Sequence, residues 1–332
     1  MRICIYEDRA TDMVAVKLLV ASLLRHSPTL DIEVTIPQPS EAIRTWFAAR
    51  PAVRLRSDHD SRRSGYNVKA AVLARALEET EAALWVDSDI VVTGDVRPVF
   101  AGAGPTTLAV SEEWFGAPFQ GGTSRVRGLG LQVGRRLPST ANTSVLRVTR
   151  AHRELLRAWD DILRSPEYLA AQSRVWTERP IWLLGDQEVL TGLLGSDRFA
   201  DVPILWVRRG RDIAHCFPPV ASGYAAHERI ANILRRRTPT FLHSIVERPW
   251  RPPNGQMTLH LETSPYTLVA AQFEGDVEEP LPWTKPTLLS ARLLRSLTGD
   301  DTNASGLLPA IGRELTDQRI AKVFLKRLIG KN

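Results

Sequence analysis

The sequence predicts an α/β protein, and three observations carry that prediction. Short apolar runs alternate with amphipathic segments over most of the chain, which is the pattern of a sheet covered by helices. The strongest apolar run, Ala83 to Val92, reads as a buried strand and is followed by a Gly94-Asp95 turn. A cluster of prolines, Pro249, Pro252 and Pro253, then breaks the alternation, so the main domain is expected to span residues 1–255 and an extension residues 256–332.

Each element follows in order. Arg2 to Tyr6 is a strand, and Met13 to Arg25 a helix whose Val16, Leu19, Val20 and Leu23 recur at helical spacing. Asp31 to Ile36 alternates as a second strand and stops at Pro37. Ser40 caps a helix carrying Ile43, Trp46 and Phe47. Val53-Arg54-Leu55 is a short strand, and a helix is expected from Asn67 to about Glu79. After Thr107 to Val110 comes a Gly- and Arg-rich stretch, Gly116 to Arg136, expected to form a long loop. Helices are expected near Thr149, about fifteen residues long, and near Gly185. Strands follow at Pro203 to Val207 and Thr240 to Ile245. The extension should hold two further elements and a basic amphipathic end, Asp317 to Lys331. Repeats and low-complexity tracts are absent from the sequence.

Composition narrows the function classes. A chain of 332 residues can bury a large core, and 24% charged with 43% hydrophobic residues is ordinary for a soluble globular protein. The opening Met-Arg-Ile-Cys-Ile-Tyr-Glu-Asp suits neither a secretory signal nor a transit peptide, and no run of eighteen apolar residues exists. Cys4 and Cys216 are too few for a disulfide framework or a zinc site. A cytoplasmic location is expected, with the inner face of a membrane as a peripheral option. The formal charge of +6 includes clusters at Arg208, Arg209 and Arg211 and at Arg235, Arg236 and Arg237. These suit an anionic partner or a solvated surface. Nucleic acid is the least fitting partner, because basic and aromatic residues do not interleave.

The chemistry centres on an acidic pair. A bare Asp-x-Asp arises about once by chance in a chain of this kind, and Asp58-His59-Asp60 is such a match, set among polar residues. Asp87-Ser88-Asp89 differs, because it interrupts Leu84-Trp85-Val86 and Ile90-Val91-Val92. Charge inside an apolar strand is costly unless it is paired or binds a cation. Strand alternation would point Asp87 and Asp89 to one side, as hard oxygen ligands for Mn²⁺ or Mg²⁺. The plainer reading pairs both aspartates with nearby arginines and backbone N–H groups.

The segment Leu84-Trp85-Val86-Asp87-Ser88-Asp89-Ile90-Val91-Val92 resembles the metal-binding strand of GT-A glycosyltransferases, with the family 8 type as the nearest likeness. The resemblance implies a GT-A fold: a mixed, mostly parallel central sheet flanked by helices, here with a helical C-terminal extension. It spans roughly residues 1–255 through five short motifs in the family's order. Tyr66-Asn67-Val68-Lys69 is similar to the family's basic helix, which implies that Lys69 contacts sugar or diphosphate; as a plain helical lysine it would be exposed. Tyr6-Glu7-Asp8 looks like the nucleotide-binding start, at the C-terminal end of the first strand. Asn142-Thr143-Ser144-Val145-Leu146 is similar to the strand that faces the sugar, with Ser144 in place of a glycine. Gly185-Asp186-Gln187 resembles the pair beside the anomeric carbon; Asp186 could equally cap its helix. Phe241-Leu242-His243, followed by Glu247-Arg248-Pro249-Trp250, resembles the His that completes the metal site and a Lys-Pro-Trp that binds phosphate. Here the gap is one residue shorter, the glycine is missing and Arg248 replaces the lysine, though arginine is a strong diphosphate partner.

The resemblance therefore implies a metal-dependent transfer of a hexose from a nucleotide diphosphate sugar, UDP-linked in the family, with retention of configuration. It assigns the metal to Asp87, Asp89 and His243, and catalytic positions to Asn142, Asp186 and Gln187. Tyr6, Glu7, Asp8, Lys69 and Arg248 are expected to hold the donor. Inversion would instead need a carboxylate base, for which Glu112 or Glu113 is available. A non-catalytic nucleotide-sugar binder and a sugar nucleotidyltransferase are the competing classes. The latter usually carries a Gly-rich phosphate loop after the first strand, where Tyr6-Glu7-Asp8-Arg9 has none. The acceptor, whether sugar, lipid-linked, protein or small molecule, is not encoded in any motif. Ile320, Val323, Phe324 and Leu328, opposite Lys322, Lys326, Arg327 and Lys331, could rest on an anionic membrane, on the main domain or on a second subunit.

Overall fold

The computed structural model describes residues 1–58, 65–113, 123–217, 224–299 and 301–316. Its strands in chain order are β1 (Arg2–Tyr6), β2 (Asp31–Thr35), β3 (Val53–Arg56), β4 (Ala82–Val86), β5 (Ile90–Val92), β6 (Leu108–Glu112), β7 (Ala141–Thr149), β8 (Ile204–Val207), β9 (Ile213–His215) and β10 (Phe241–His243). The chain divides into two compact units. The first takes residues 1–16, 27–88 and 97–207, and the second residues 17–26, 89–96 and 208 onward.

The first unit is built on a seven-stranded sheet of order β3-β2-β1-β4-β7-β6-β8. β1 pairs in parallel with β2 and β4, β2 with β3, and β6 with β8, whereas β7 runs antiparallel to β4 and β6. The sheet is thus mixed and mostly parallel, as expected. β1 is buried along its whole length, which is why Ile3-Cys4-Ile5 is continuously apolar, while the buried Arg2 is paired with Asp31, Glu33 and Glu79. Helices Lys69–Glu79, Arg153–Leu163 and Asp186–Gly195 contribute Leu73, Leu77, Leu155, Trp159 and Leu190 to one apolar cluster with Cys4, Trp85 and Leu146 of the sheet. The hydroxyl of Ser40 accepts from the N–H of Ile43, so this cap is formed as the sequence predicts.

Three sequence expectations change in the structure. Ala83 to Val92 is not one strand. It splits at Asp87-Ser88-Asp89 into β4 in the first unit and β5 in the second, so the alternation expected across the two aspartates does not apply. The carboxylates leave the sheet because an apolar ladder offers them no partner. The helix after Thr149 is interrupted: Arg153–Leu163 ends, and Ser165 caps a new helix, Pro166–Gln172, with proline in its first turn. Of the loop expected over Gly116 to Arg136, residues 116–122 lie outside the described residues, and Ser124–Gly128 is a short helix. That helix lies tight against Asp186–Gly195, since a Cβ at Gly192 would come within 3.3 Å of the Arg125 carbonyl oxygen and 2.6 Å of a methyl carbon of Leu129, the residue after the helix.

The second unit carries a three-stranded sheet, β5-β10-β9. β10 is antiparallel to β5, pairing His243 with Ile90, and parallel to β9, pairing His243 with His215. Beyond Gly255 the chain makes more than two elements: helices Leu259–Glu262, Pro265–Ala270, Glu274–Val277, Leu289–Thr298 and Thr302–Ser305. Most are too short to display a helical period in the sequence. The amphipathic segment Asp317 to Lys331 lies outside the described residues. Among the described residues, no helix is long and apolar enough to cross a membrane.

Trp159 ties the sheet-covering helices to the start of helix Asp186–Gly195. It is fully buried, and its indole N–H donates to the carbonyl of Asp186 at 2.9 Å. Trp159→Phe keeps an aromatic ring and removes this bond, while the carbonyl keeps its place in the helix, so a loss of about 0.5–1.5 kcal/mol is expected by chemical denaturation. An unchanged unfolding midpoint would show that the bond contributes nothing.

Candidate functional site

In the first unit, residues from four distant sequence segments meet around one lysine. Lys69 opens helix Lys69–Glu79 and is only 3% exposed, so the plain reading of a solvated helical lysine does not hold. Its Nζ lies 2.9 Å from Asp87 Oδ1 and 3.6 Å from Asp186 Oδ2, and donates to the Thr143 hydroxyl at 3.0 Å. Asp87 continues the β4–β7 ladder by one bond, from its N–H to the carbonyl of Ser144 at 2.8 Å. Its carboxylate also accepts from the Trp85 indole at 2.6 Å. A buried ammonium is tolerable here because two carboxylates and a hydroxyl replace its water.

Asp186 does not serve as its helix's N-cap. The N-cap is Gly185, and the Asp186 carboxyl instead accepts from Thr143 Oγ1 at 2.6 Å. Burial pushes its pKa above the usual carboxylate value, while Lys69 and the Thr143 hydrogen bond act in the opposite direction.

A second group uses the neighbouring residues of the same strand and helix. Side chains alternate along β7, so Thr143 faces Lys69 while Asn142 and Ser144 face Ser111. Asn142 Nδ2 donates to Glu113 Oε2 at 3.3 Å, and its Oδ1 accepts from the Ser144 N–H. Gln187 Nε2 donates to the same Glu113 oxygen at 2.5 Å and to Glu188 Oε1 at 3.3 Å. The amide of Gln187 is therefore oriented by two buried carboxyl groups. Burial, followed by the nearby Glu113, pushes Glu188 up to about 8, although Arg125, 3.9 Å away and equally buried, opposes the shift.

The nucleotide-side candidates are placed at the end of β1. Tyr6 donates its hydroxyl to Asp8 at 3.2 Å, and Asp8 also accepts from the Gly65 N–H at 2.8 Å. Glu7 is engaged within the protein: it accepts from the Arg9 backbone and guanidinium, and from Ser88 Oγ at 2.6 Å. Ser88 thus anchors the turn between the two aspartates. The second acidic match behaves differently, because Asp58 is exposed and forked onto Arg56; His59 and Asp60 lie outside the described residues.

In the second unit the partners of Asp89 come from β10 and the turn after it. Asp89 Oδ1 lies 3.2 Å from His243 Nε2, and Asp89 Oδ2 lies 2.6 Å from Arg248 Nη2. The Ser244 N–H donates to the Asp89 carbonyl at 2.9 Å. Arg248 is held on its own side by the Ser244 carbonyl and lies over the Trp250 ring, 5.8 Å from its centre. Trp250 in turn packs against Tyr266 and Trp283, which roots the Arg-Pro-Trp segment in an aromatic cluster. Behind His243, His215 presents Nδ1 to His243 Nδ1 at 3.1 Å.

The structure thus brings Lys69, Asp87 and Asp186 together in the first unit, with Asn142 and Gln187 in the adjoining group. In the second it brings Asp89, His243 and Arg248 together. Sequence reasoning did not single out Thr143, Glu188, Arg125 or His215 for any role. Thr143 sat unremarked inside a recognised segment, and His215 gave only the weak signal of one imidazole ending the short Ile213-Ala214 run.

No family model matches the chain, and no curated protein matches its sequence. Among solved structures it is similar to the bifunctional glycosyltransferase WbbM in its apo form, at 14% identity and a TM-score of 0.49, over 84% of this chain. It spans about half of that protein's length, 51%. It is also similar to the galactosyltransferase LgtC in complex with donor and acceptor sugar analogues, at 16% identity and a TM-score of 0.48, covering 83% of this chain and all of that one. A third is the glycosyltransferase GlyE of Streptococcus pneumoniae TIGR4, at 14% identity and a TM-score of 0.43, covering 87% of this chain and 66% of that one.

The raised Glu188 pKa gives a pH test. Above the ordinary glutamate value of 4.5 the unfolded chain ionises this group, while the folded chain holds the proton up to about 8. Its contribution therefore lowers stability progressively as pH rises from about 4.5 to about 8. Glu188→Gln should remove this slope and make the variant more stable than wild type at pH 8.5, read by denaturant melts at pH 5 and 8.5. Parallel curves for the two proteins would contradict it.

Proposed function

We propose that this chain is a glycosyltransferase that moves a hexose from a nucleotide diphosphate sugar, with UDP as the nucleotide, to an acceptor hydroxyl. One observation carries the reading. The motifs whose order in the sequence resembles the glycosyltransferase pattern meet as side chains: Lys69 with Asp87 and Asp186, and Asp89 with His243 and Arg248.

Asp87, Asp89 and His243 would hold a divalent ion. The donor set fits Mn²⁺ or Mg²⁺: two carboxylates one residue apart in the chain, and an imidazole nitrogen against the second of them. Such an ion, when bound, neutralises charge on the leaving diphosphate. Arg248 and Lys69 add fixed positive charge for the same purpose, each preorganised by its own contacts. Tyr6 and Asp8, with Glu7 shaping their turn, line the place for base and ribose at the end of β1. Asp186, Asn142 and Gln187 are assigned to the sugar. Retention is the proposed outcome, with the buried Asp186 positioned beside the reacting carbon. The residues so assigned all precede Gly255, which is why residues 1–255 are proposed as the catalytic part and the remainder as an extension. The extension's basic end is proposed as a contact for a membrane or a second copy.

A specific observation favours a second reading. Lys69 and Arg248 already pair with the two aspartates, so both carboxylates are balanced by cations of the chain itself. A nucleotide-sugar binder that needs no metal would look the same.

Thermal-shift measurement over a panel of nucleotide sugars, with and without Mn²⁺, separates these. Stabilisation by one nucleotide sugar that requires Mn²⁺ and is lost in Asp89→Asn supports the transferase. Stabilisation independent of Mn²⁺ but lost in Arg248→Met supports the binder. No stabilisation by any nucleotide sugar would remove both.

A further inference from the structure

We infer that His215 is a positioning residue for the metal site: it orients His243 by accepting a hydrogen bond at Nδ1, so that Nε2 presents its lone pair to the ion. The inference rests on the metal reading proposed above and adds a residue to it. Three observations within the second unit support it. His215 and His243 stand opposite each other in the parallel register of β9 and β10. Both are buried, at 0% and 3% exposure, so water cannot stand in for either partner. Their Nδ1 atoms are 3.1 Å apart, while His243 Nε2 points the other way, 3.2 Å from Asp89 Oδ1.

An imidazole pair at that distance holds one proton between its two Nδ1 atoms, since two bare lone pairs would repel and two N–H groups would collide. Two neutral rings carry two protons on four nitrogens. When the shared proton belongs to His243, its Nε2 is bare, a state that an ion held beside Asp89 would favour, and the other proton resides on His215 Nε2. Without the ion, Nε2–H facing Asp89 is the alternative tautomer. The first arrangement lets His243 act as a neutral ligand without any change in total protonation. Imidazole ligands generally donate their second N–H to a fixed acceptor, which sets ring orientation and basicity. Carboxylates and carbonyls are the usual acceptors, and a second buried imidazole performs the same task without adding negative charge to a site that already has two aspartates.

The test uses the full chain and Mn²⁺ alone, with affinity measured by calorimetry or by the loss of the free Mn²⁺ electron-resonance signal. His215→Phe keeps a ring of similar size and removes the acceptor, and should weaken Mn²⁺ binding about 10- to 100-fold. His215→Asn places an amide oxygen near the lost Nδ1 and should recover most of that affinity, an outcome that packing alone would not produce. Should the Phe variant fail to fold, long-range proton–nitrogen correlation on the wild-type chain with diamagnetic Zn²⁺ reads the tautomer directly. The Nδ1–H form of His243 is expected there. Equal Mn²⁺ affinity in wild type and His215→Phe, or an Nε2–H form of His243 in the loaded chain, would overturn the role of His215 and leave the metal site standing. No Mn²⁺ binding by wild type would remove the metal reading itself, and this inference with it.

Discussion

A carboxylate drawn out of water needs a positive partner, and the candidate site is organised by that requirement, with Asp89 buried and Asp87 half-buried. Asp87 and Asp89 sit in the middle of the most apolar stretch of the chain, where an unpaired charge would cost several kcal/mol. The strand ends at the first of them and restarts after the second. Asp87 is met by Lys69, Asp89 by Arg248 and His243, and Ser88 between them is tied to Glu7. The break in the apolar run is thus a consequence of the same chemistry that makes the place a candidate for an ion.

The cations in turn depend on their surroundings. Lys69 can be buried only because Thr143 and Asp186 complete its coordination, and Asp186 is delivered by the first turn of a helix whose backbone is bound by Trp159. Arg248 lies over Trp250, which is tilted against the stacked pair Tyr266 and Trp283. Removing one member of such a group leaves a buried charge uncompensated, which is more costly than the pair is favourable. That asymmetry is a physical reason for so many polar contacts to be closed within the protein before any ligand arrives.

The two groups at β7 illustrate how one strand serves two environments. Thr143 faces the lysine cluster and Asn142 the Glu113–Gln187 cluster, because successive strand residues point to opposite sides. Asp186 and Gln187, adjacent on a helix and so about 100° apart around its axis, divide between the same two groups. The outcome is one carboxyl in a charged setting beside an amide clamped by Glu113 and Glu188, with the buried Glu188 retaining a proton well into the neutral range.

Much of this was legible from residue order. Strand and helix placement in the first unit followed from apolar runs, caps and prolines, which are local signals. The candidate residues Lys69, Asp87, Asp89, Asp186, His243 and Arg248 followed from short segments in a recognisable sequence. Other features depend on register and packing, which no local pattern encodes. The pairing of His215 with His243 exists only because β9 and β10 align those two positions. The burial of Lys69 required a helix start to be packed under Thr143. The split of Ala83 to Val92 into strands of two different sheets depended on which neighbours, β7 or β10, were there to receive each half. Sequence by itself named the side chains proposed to hold an ion and a diphosphate. Tertiary structure decided their partners, because hydrogen bonds and ion pairs between residues far apart in the chain form only after the sheet has set their distance.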